Sequence, residues 1–266
     1  NSTAGGFYSA LCNYVVNNKG VAIGVLVTNN NEVKHALANL ESKYLINGFR
    51  GSKYVQSNLS DTFRKIKELI EKNTLVCFSG TPCQVSGLYS YLGCRNNNLI
   101  TVDFVCRGVP SPLLWEKYIE YQEKIHKAKV SKVNFRKKTY GYHSSTIEII
   151  FEDGTVYSKG SQSDIFLRGF SSDSCSRYSC YECSFKGKRH LADFTVFDSW
   201  HASEISSQVV DDDKGYTNLI INTGHGHKVF SYLKDEYYYY LADYDKAIEL
   251  NPNFHQAYFN RGAVYD

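Results

Sequence analysis

"TLVCFSGTPCQVSGLYSYLGCRNNNLITVDFVCRG", residues 74–108, decides the fold. "TLVCFSG" reads as a short buried strand, "SGTPCQ" as a turn, "VSGLYSYL" as a helix and "NLITVDFV" as a second strand. Strand–loop–helix–strand alternation implies right-handed crossovers and a mainly parallel sheet. Ligands of such sheets gather beyond the carboxyl ends of the strands. Cys83 lies in the turn after the first strand, just before a helix whose N–H groups favour a thiolate, and Cys106 lies at the end of the second.

The pattern continues in both directions. Upstream, "GGFYSALCNYVVNN" puts Phe7, Ala10, Leu11, Tyr14 and Val15 at helical spacing behind a glycine pair, and "GVAIGVLV" reads as a buried strand. "SDTFRKIKELIEKN" is an amphipathic helix with Ser60 or Asp61 as its N-cap. Downstream, "PSP" starts the helix "LLWEKYIEYQEKIHK". "VSKVNFR", "STIEIIFEDG" and "TVYSKG" then read as antiparallel strands with a hairpin turn at "EDG". A cysteine segment follows, then the strands "DFTVFD" and "TNLIINT" and the helix "HGHKVFSYLKDE". Residues 1–236 are therefore expected to form one α/β domain, a mainly parallel sheet with helices and an added antiparallel part.

Residues 237–266 follow a different grammar. "LADYDKAIELNPNFHQAYFNRGAVYD" resembles part of a tetratricopeptide repeat, with Tyr244, Ala247, Pro252, Ala257, Tyr258, Gly262 and Tyr265 where that pattern expects them. A short all-α, repeat-like tail is the expectation, and a protein partner is what such a tail would serve. One repeat cannot bury its own face, so the tail implies further repeats or a fusion.

Composition limits the function classes. With 266 residues the chain can bury a core without disulfides. A net charge of +3 gives no footprint for nucleic acid or for a membrane surface. Apolar runs such as "GVAIGVLV" fall far short of the roughly 20 residues that span a bilayer. No secretory signal is visible. The chain opens on "NSTAGGF" and contains no methionine, which reads as a natural N-terminus lying further upstream. Eight cysteines among 266 residues stay below the roughly 8–10% of a disulfide scaffold, and a reducing cytoplasm is expected. Cys12, Cys77, Cys94 and Cys106 sit in or beside apolar stretches, where a reduced, buried thiol is the ordinary outcome. No triad or paired-carboxylate pattern points to hydrolysis.

"CSRYSCYECSFKGKRH", residues 175–190, gathers three cysteines at C-x4-C-x2-C spacing. Zinc takes four ligands, and there is one CxxC pair, Cys180 and Cys183; Cys175 and His190 would have to complete the set. An iron–sulfur cluster instead combines close cysteines with remote ones. Spacing alone leaves zinc, a cluster and a ligand-free cysteine loop open. His190 and the run Lys186, Lys188 and Arg189 read as a solvated, basic face. Ser2, Thr3, Gly5 and Gly6 precede a helix, an arrangement that binds phosphate through backbone N–H groups. Arg50, Ser52 and Lys53 in "RGSKY" offer further polar contacts.

"STAGGFYSAL", "GFRGSKYVQSNL", "SGTPCQVSGL", "TVDFVCRGVPSP", "VNFRKK", "CYECSFKG" and "ADFTVFDSW" together resemble the beta-subunit family of coenzyme F420 (deazaflavin) hydrogenases and dehydrogenases, in order from residue 2 to about 223. The resemblance implies an iron–sulfur flavoprotein: an electron-transfer oxidoreductase with FAD and one [4Fe–4S] cluster. It would pass electrons between an iron–sulfur donor and a flavin or deazaflavin-type acceptor. Its implied cluster ligands are Cys83, Cys106, Cys180 and Cys183, with Cys175 as a neighbour. Its implied flavin contacts are Ser2, Thr3, Gly5, Gly6, Arg50, Ser52, Lys53 and Asp198. An electron-donor protein or ferredoxin-like module is the implied partner, because relatives often carry such a module before the glycine pair. Where the family usually reads "GDFWG" this chain reads "FDSWH": Asp198 and Trp200 remain, while Phe197 and His201 replace glycines. The contrasting reading is a non-catalytic, zinc-stabilised interaction module with tetratricopeptide repeats.

Overall fold

In the computed structural model, which describes residues 5–187, 190–200, 213 and 215–233, residues 74–108 form the expected strand–helix–strand unit. Strand β3 (Val76–Ser79) runs into α4 (Pro82–Leu92) and β4 (Leu99–Phe104) returns parallel to it. The helix starts where it does because Thr81 and Gln84 close a capping box and Pro82 takes the first position, where its missing N–H costs nothing.

The first helix, α1 (Gly5–Asn17), leads to the hairpin of β1 (Val21–Val27) and β2 (Val33–Ala38). A single 3-10 turn (Lys43–Leu45), the short α2 (Ile46–Phe49) and α3 (Thr62–Glu71) precede β3. After β4 come α5 (Pro112–His126), strands β5 (Val130–Lys137), β6 (Thr146–Phe151) and β7 (Val156–Gly160), then α6 (Ile165–Ser171) and the one-turn α7 (Tyr178–Tyr181). Strands β8 (Phe194–Ser199) and β9 (Tyr216–Ile221) and helix α8 (Gly224–Leu233) end the described chain.

The larger sheet has the order β2-β1-β3-β4-β8-β9. Strands β1, β3, β4 and β8 are mutually parallel, and β2 and β9 add antiparallel edges. Strands β5, β6 and β7 form a separate antiparallel sheet whose hairpin turns at Gly154, as "EDG" leads one to expect. The fold class is thus mixed α/β with a mostly parallel sheet. The repeat-like tail, residues 237–266, lies outside the described residues.

Helices cover both faces of the larger sheet, as its central strands require. Leu11 and Val15 of α1, Phe49 of α2 and Val229 of α8 pack with Ile100 and Phe194 on one side. Ile66 of α3 and Val85 and Leu88 of α4 pack with Ile23 and Phe78 on the other. Each fully buried side chain of this size contributes about 1.5–3 kcal/mol, so these two layers outweigh any surface contact. Gly24 lets α2 lie close: an added Cβ would meet the Phe49 ring at 2.5 Å. The small sheet has its own core, in which Trp115 of α5 contacts Phe135 at 4.5 Å and Phe166 at 5.0 Å.

Some expectations need correcting. Asp61 stands at the N-cap of α3 but makes no capping bond; its carboxylate is held by Arg64 and Lys65 instead. Cys94 is exposed, because "GCRNNN" is the loop after α4 rather than an extension of the apolar strand. Strand β2 and helix α6 carry no clear periodicity in sequence and appear only through their packing.

Candidate functional site

Beyond the carboxyl edge of the parallel sheet, three segments bring thiols together. Cys83 is exposed in the first turn of α4, with its sulfur 3.0 Å from Thr81 Oγ1. Cys106 follows β4 and is half-buried; burial pushes its thiol up to about 11, and Cys83, Cys180 and Cys183 add to the rise. All three are therefore within electrostatic reach of the Cys106 sulfur.

The loop that follows Cys106 packs directly on the CxxC segment. An added Cβ at Gly108 would meet Ser176 Oγ at 2.7 Å and Cys180 Cβ at 3.4 Å, and the residue has a φ of +151°. Only glycine admits that approach. Arg177 N–H donates to the Val109 carbonyl at 2.9 Å, and Arg107 makes a bidentate pair with Asp173 at 2.8 and 3.0 Å.

Cys175 is placed differently. Its sulfur lies 3.4 Å from the position of a Gly169 Cβ; burial raises its thiol, and Asp173 is its only other charged influence. It is not among the neighbours that shift Cys106.

Among the described residues no three His, Cys, Asp or Glu side chains converge closely enough to share one metal ion. A tetrahedral zinc with bonds of about 2.3 Å would hold its sulfurs about 3.8 Å apart. A [4Fe–4S] cluster takes one thiolate at each of four irons, so its ligand sulfurs stand further apart.

His190, expected as part of a solvated face, is instead buried. Its side chain is 8% exposed and Nδ1 lies 2.7 Å from Oδ2 of Asp103, which is 1% exposed. A hydrogen bond to Asp103 holds the imidazole above its ordinary value, despite burial. Lys188 and Arg189 lie outside the described residues.

The residues expected to contact a flavin lie at the start of α1, in the segment after α2 and on β8. Ser2 and Thr3 lie outside the described residues, whereas Gly5 and Gly6 open α1. The nearest atom to an added Gly6 Cβ is Thr217 Oγ1, at 3.8 Å, and Thr217 pairs in register with Asp198. Arg50 Nε donates to Ser9 Oγ at 3.0 Å, on the second turn of α1. Lys53 is half-buried, and its ammonium group donates to the Gly48 and Arg50 carbonyls at 2.7 and 2.8 Å. Burial pushes it down to about 7. Ser52 bonds the Tyr54 hydroxyl; burial raises that phenol, and Arg136 and Asp198 both act on it.

Asp198 itself accepts from Arg136 Nη1 at 2.5 Å, in a pair whose side chains are 20% and 6% exposed. Arg136 lies 5.1 Å from the Tyr142 ring and 5.0 Å from that of Trp200, and these two rings stack at 4.6 Å. Among the described residues, Arg136 Nε and Asp198 Oδ1 are buried without a hydrogen-bond partner. Buried charged groups normally use all their donors and acceptors, so this pair has capacity for a ligand. Sequence reasoning missed Arg136, Tyr54 and Tyr142. "VNFRKK" carries the family resemblance without pointing to a role, and nothing local marks its arginine as the partner of an aspartate 62 residues away.

Residues 73–247, more than half of the chain, match a family described as the C terminus of the coenzyme F420 hydrogenase/dehydrogenase beta subunit. The fold is similar to a chain of the F420-reducing [NiFe] hydrogenase complex from Methanosarcina barkeri, solved in a xenon-derivatised form. The TM-score is 0.51 at 16% identity, over 97% of this chain and 81% of that one, a likeness that bears on fold alone. A search of curated proteins found no match.

Proposed function

The chain belongs to the coenzyme F420 hydrogenase/dehydrogenase beta-subunit family, and from that premise we propose that it is an FAD- and [4Fe–4S]-dependent electron-transfer oxidoreductase. The observation that carries this reading is that Cys83 and Cys106 leave adjacent parallel strands and that Gly108, two residues after Cys106, packs against Cys180, one strand away from the Arg136–Asp198 pair.

In this reading Cys83, Cys106, Cys180 and Cys183 are the cluster ligands. The CxxC pair gives two thiolates from one short loop, and two strand exits supply the others. Gly5 and Gly6, with Ser2 and Thr3 before them, take the flavin's phosphates at the start of α1. Arg50 is tied to that helix through Ser9, and Lys53 bonds the Gly48 and Arg50 carbonyls beside it. Arg136 Nε offers an unused donor and Asp198 Oδ1 an unused acceptor, the two kinds of group that the imide edge of an isoalloxazine requires.

When bound, FAD exchanges electrons in pairs with an organic acceptor and singly with the cluster. The chain's own contribution is to present Cys106 and Asp198 at the ends of two adjacent parallel strands. The electron source in this reading is a donor protein or ferredoxin-like module, and the acceptor is a flavin or deazaflavin-type molecule. Among the described residues no helix is long and apolar enough to cross a membrane.

Anaerobic purification, followed by reconstitution with iron and sulfide, tests the proposal. Expected are about four iron per chain, broad visible absorption that bleaches on reduction, and FAD released on denaturation. Stoichiometric zinc with a colourless protein would refute it.

A further inference from the structure

We propose that Asp103 and His190 form a positioning clasp that seats the cysteine loop on the exit of β4 and keeps the cluster from being lost. This rests on the cluster reading above and concerns residues that hold the ligands rather than the ligands themselves.

Cys106 sits in the middle of the exit segment 103–109. Cys180 and Cys183 sit in the middle of the loop 173–190. The two segments are joined on both sides of the thiols. On one side Arg107 pairs with Asp173, and Arg177 N–H bonds the Val109 carbonyl. On the other side His190 Nδ1 meets Asp103 Oδ2 at 2.7 Å.

The two joints are not equal. Arg107 and Asp173 are 56% and 43% exposed, and exposed ion pairs hold weakly. His190 and Asp103 are 8% and 1% exposed, and removing one partner would strand the other in a dry site. Asp103 is fixed from behind by Thr195 Oγ1 of β8, which donates to its Oδ1 at 2.6 Å. The ring thus ties two strands to the end of the cysteine loop, seven residues after Cys183. A histidine that merely ended a basic run would need none of these partners.

The test uses the whole chain, reconstituted anaerobically, and follows loss of visible absorption after a ferrous-iron chelator is added. His190→Ala is expected to release iron at least about tenfold faster than the unaltered chain, the loss of one charge-assisted buried hydrogen bond. Arg107→Ala is expected to stay within about twofold of the unaltered rate. His190→Gln, which retains an N–H for Asp103, is expected to recover part of the retention. The freshly loaded His190→Ala protein should keep the spectral shape of the original, because the four ligands are unchanged. Equal release rates for His190→Ala and the unaltered chain would overturn the clasp, as would an altered cluster spectrum, which would make His190 a ligand. Asp103→Asn makes the same comparison if His190→Ala does not fold. An unaltered chain that takes up no iron would bring down the cluster reading and the clasp together; one that holds iron no better than His190→Ala does would bring down the clasp alone.

Discussion

Cys106 and Asp198 stand two residues beyond the same register pair, Phe104–Val196, on neighbouring parallel strands. One begins the thiol group and the other ends the buried arginine pair. The two binding places therefore share a sheet edge but no side chain.

Cys83→Ser and Cys106→Ser are each expected to abolish iron retention and broad visible absorption. FAD content should stay near that of the unaltered protein, because Asp198 and Arg136 lie on β8 and β5. Metal analysis and flavin release measured on the same sample check this. Iron content indifferent to both substitutions would contradict the ligand set.

Cys175→Ser is expected to keep its iron. Its thiol turns toward Gly169 and is absent from the influences on Cys106. Iron analysis of the reconstituted variant decides between this outcome and the ferredoxin-like spacing of the bare sequence, which predicts loss.

Gly6→Leu is expected to lower FAD occupancy with little effect on folding. No atom of the described chain lies closer than 3.8 Å to the new Cβ, so the protein itself can accommodate it, whereas a phosphate at the helix start could not. Full FAD release from the denatured variant, at one equivalent, would move the phosphate site elsewhere.

Asp193 governs acid stability. It is 1% exposed and accepts from Thr101 N–H at 2.9 Å, Thr101 Oγ1 at 3.0 Å and Thr223 Oγ1 at 2.6 Å. Burial alone would raise its carboxyl, but the His225 ring 3.6 Å away and the hydrogen bonds from Thr223 and Thr101 prevail and hold it below its ordinary 3.8. The stabilisation is present at neutral pH and is lost as pH falls below about 4 through the depressed folded value. Asp193→Asn should cost about 2 kcal/mol at pH 7 and flatten the acid limb of a urea-midpoint profile. An unchanged acid limb would assign that limb to other groups.

Deleting residues 241–266 is expected to leave iron and flavin content unchanged, since a single repeat has no neighbour against which to bury its face. Loss of either cofactor on truncation would make the tail part of the cofactor domain.

The parallel sheet is legible because "TLVCFSG" and "NLITVDFV" are continuous apolar runs on either side of a capped helix. The thiols of the site are legible because cysteine chemistry is written in spacing. The Arg136–Asp198 pair is not. Arg136 looks like one basic residue among several in "VNFRKK", and its burial comes only when β5 meets the end of β8. His190 misleads for a related reason. Beside Lys188 and Arg189 it looks solvated, and only the distant Asp103 draws it inside. Pairings across 60 to 90 residues leave no local periodicity.

The distance along the chain between the two groups of thiols also sets a timetable. A ribosome delivers Cys83 about 100 residues and Cys106 about 77 residues before Cys183, intervals on the order of ten seconds at about 5–20 residues per second. During those intervals the first two thiols have no CxxC loop over them, and Asp103 has no histidine to hold. On the proposed cluster reading, loading would have to wait for the cysteine loop, and iron supplied before that loop has been synthesised would meet only half a nest.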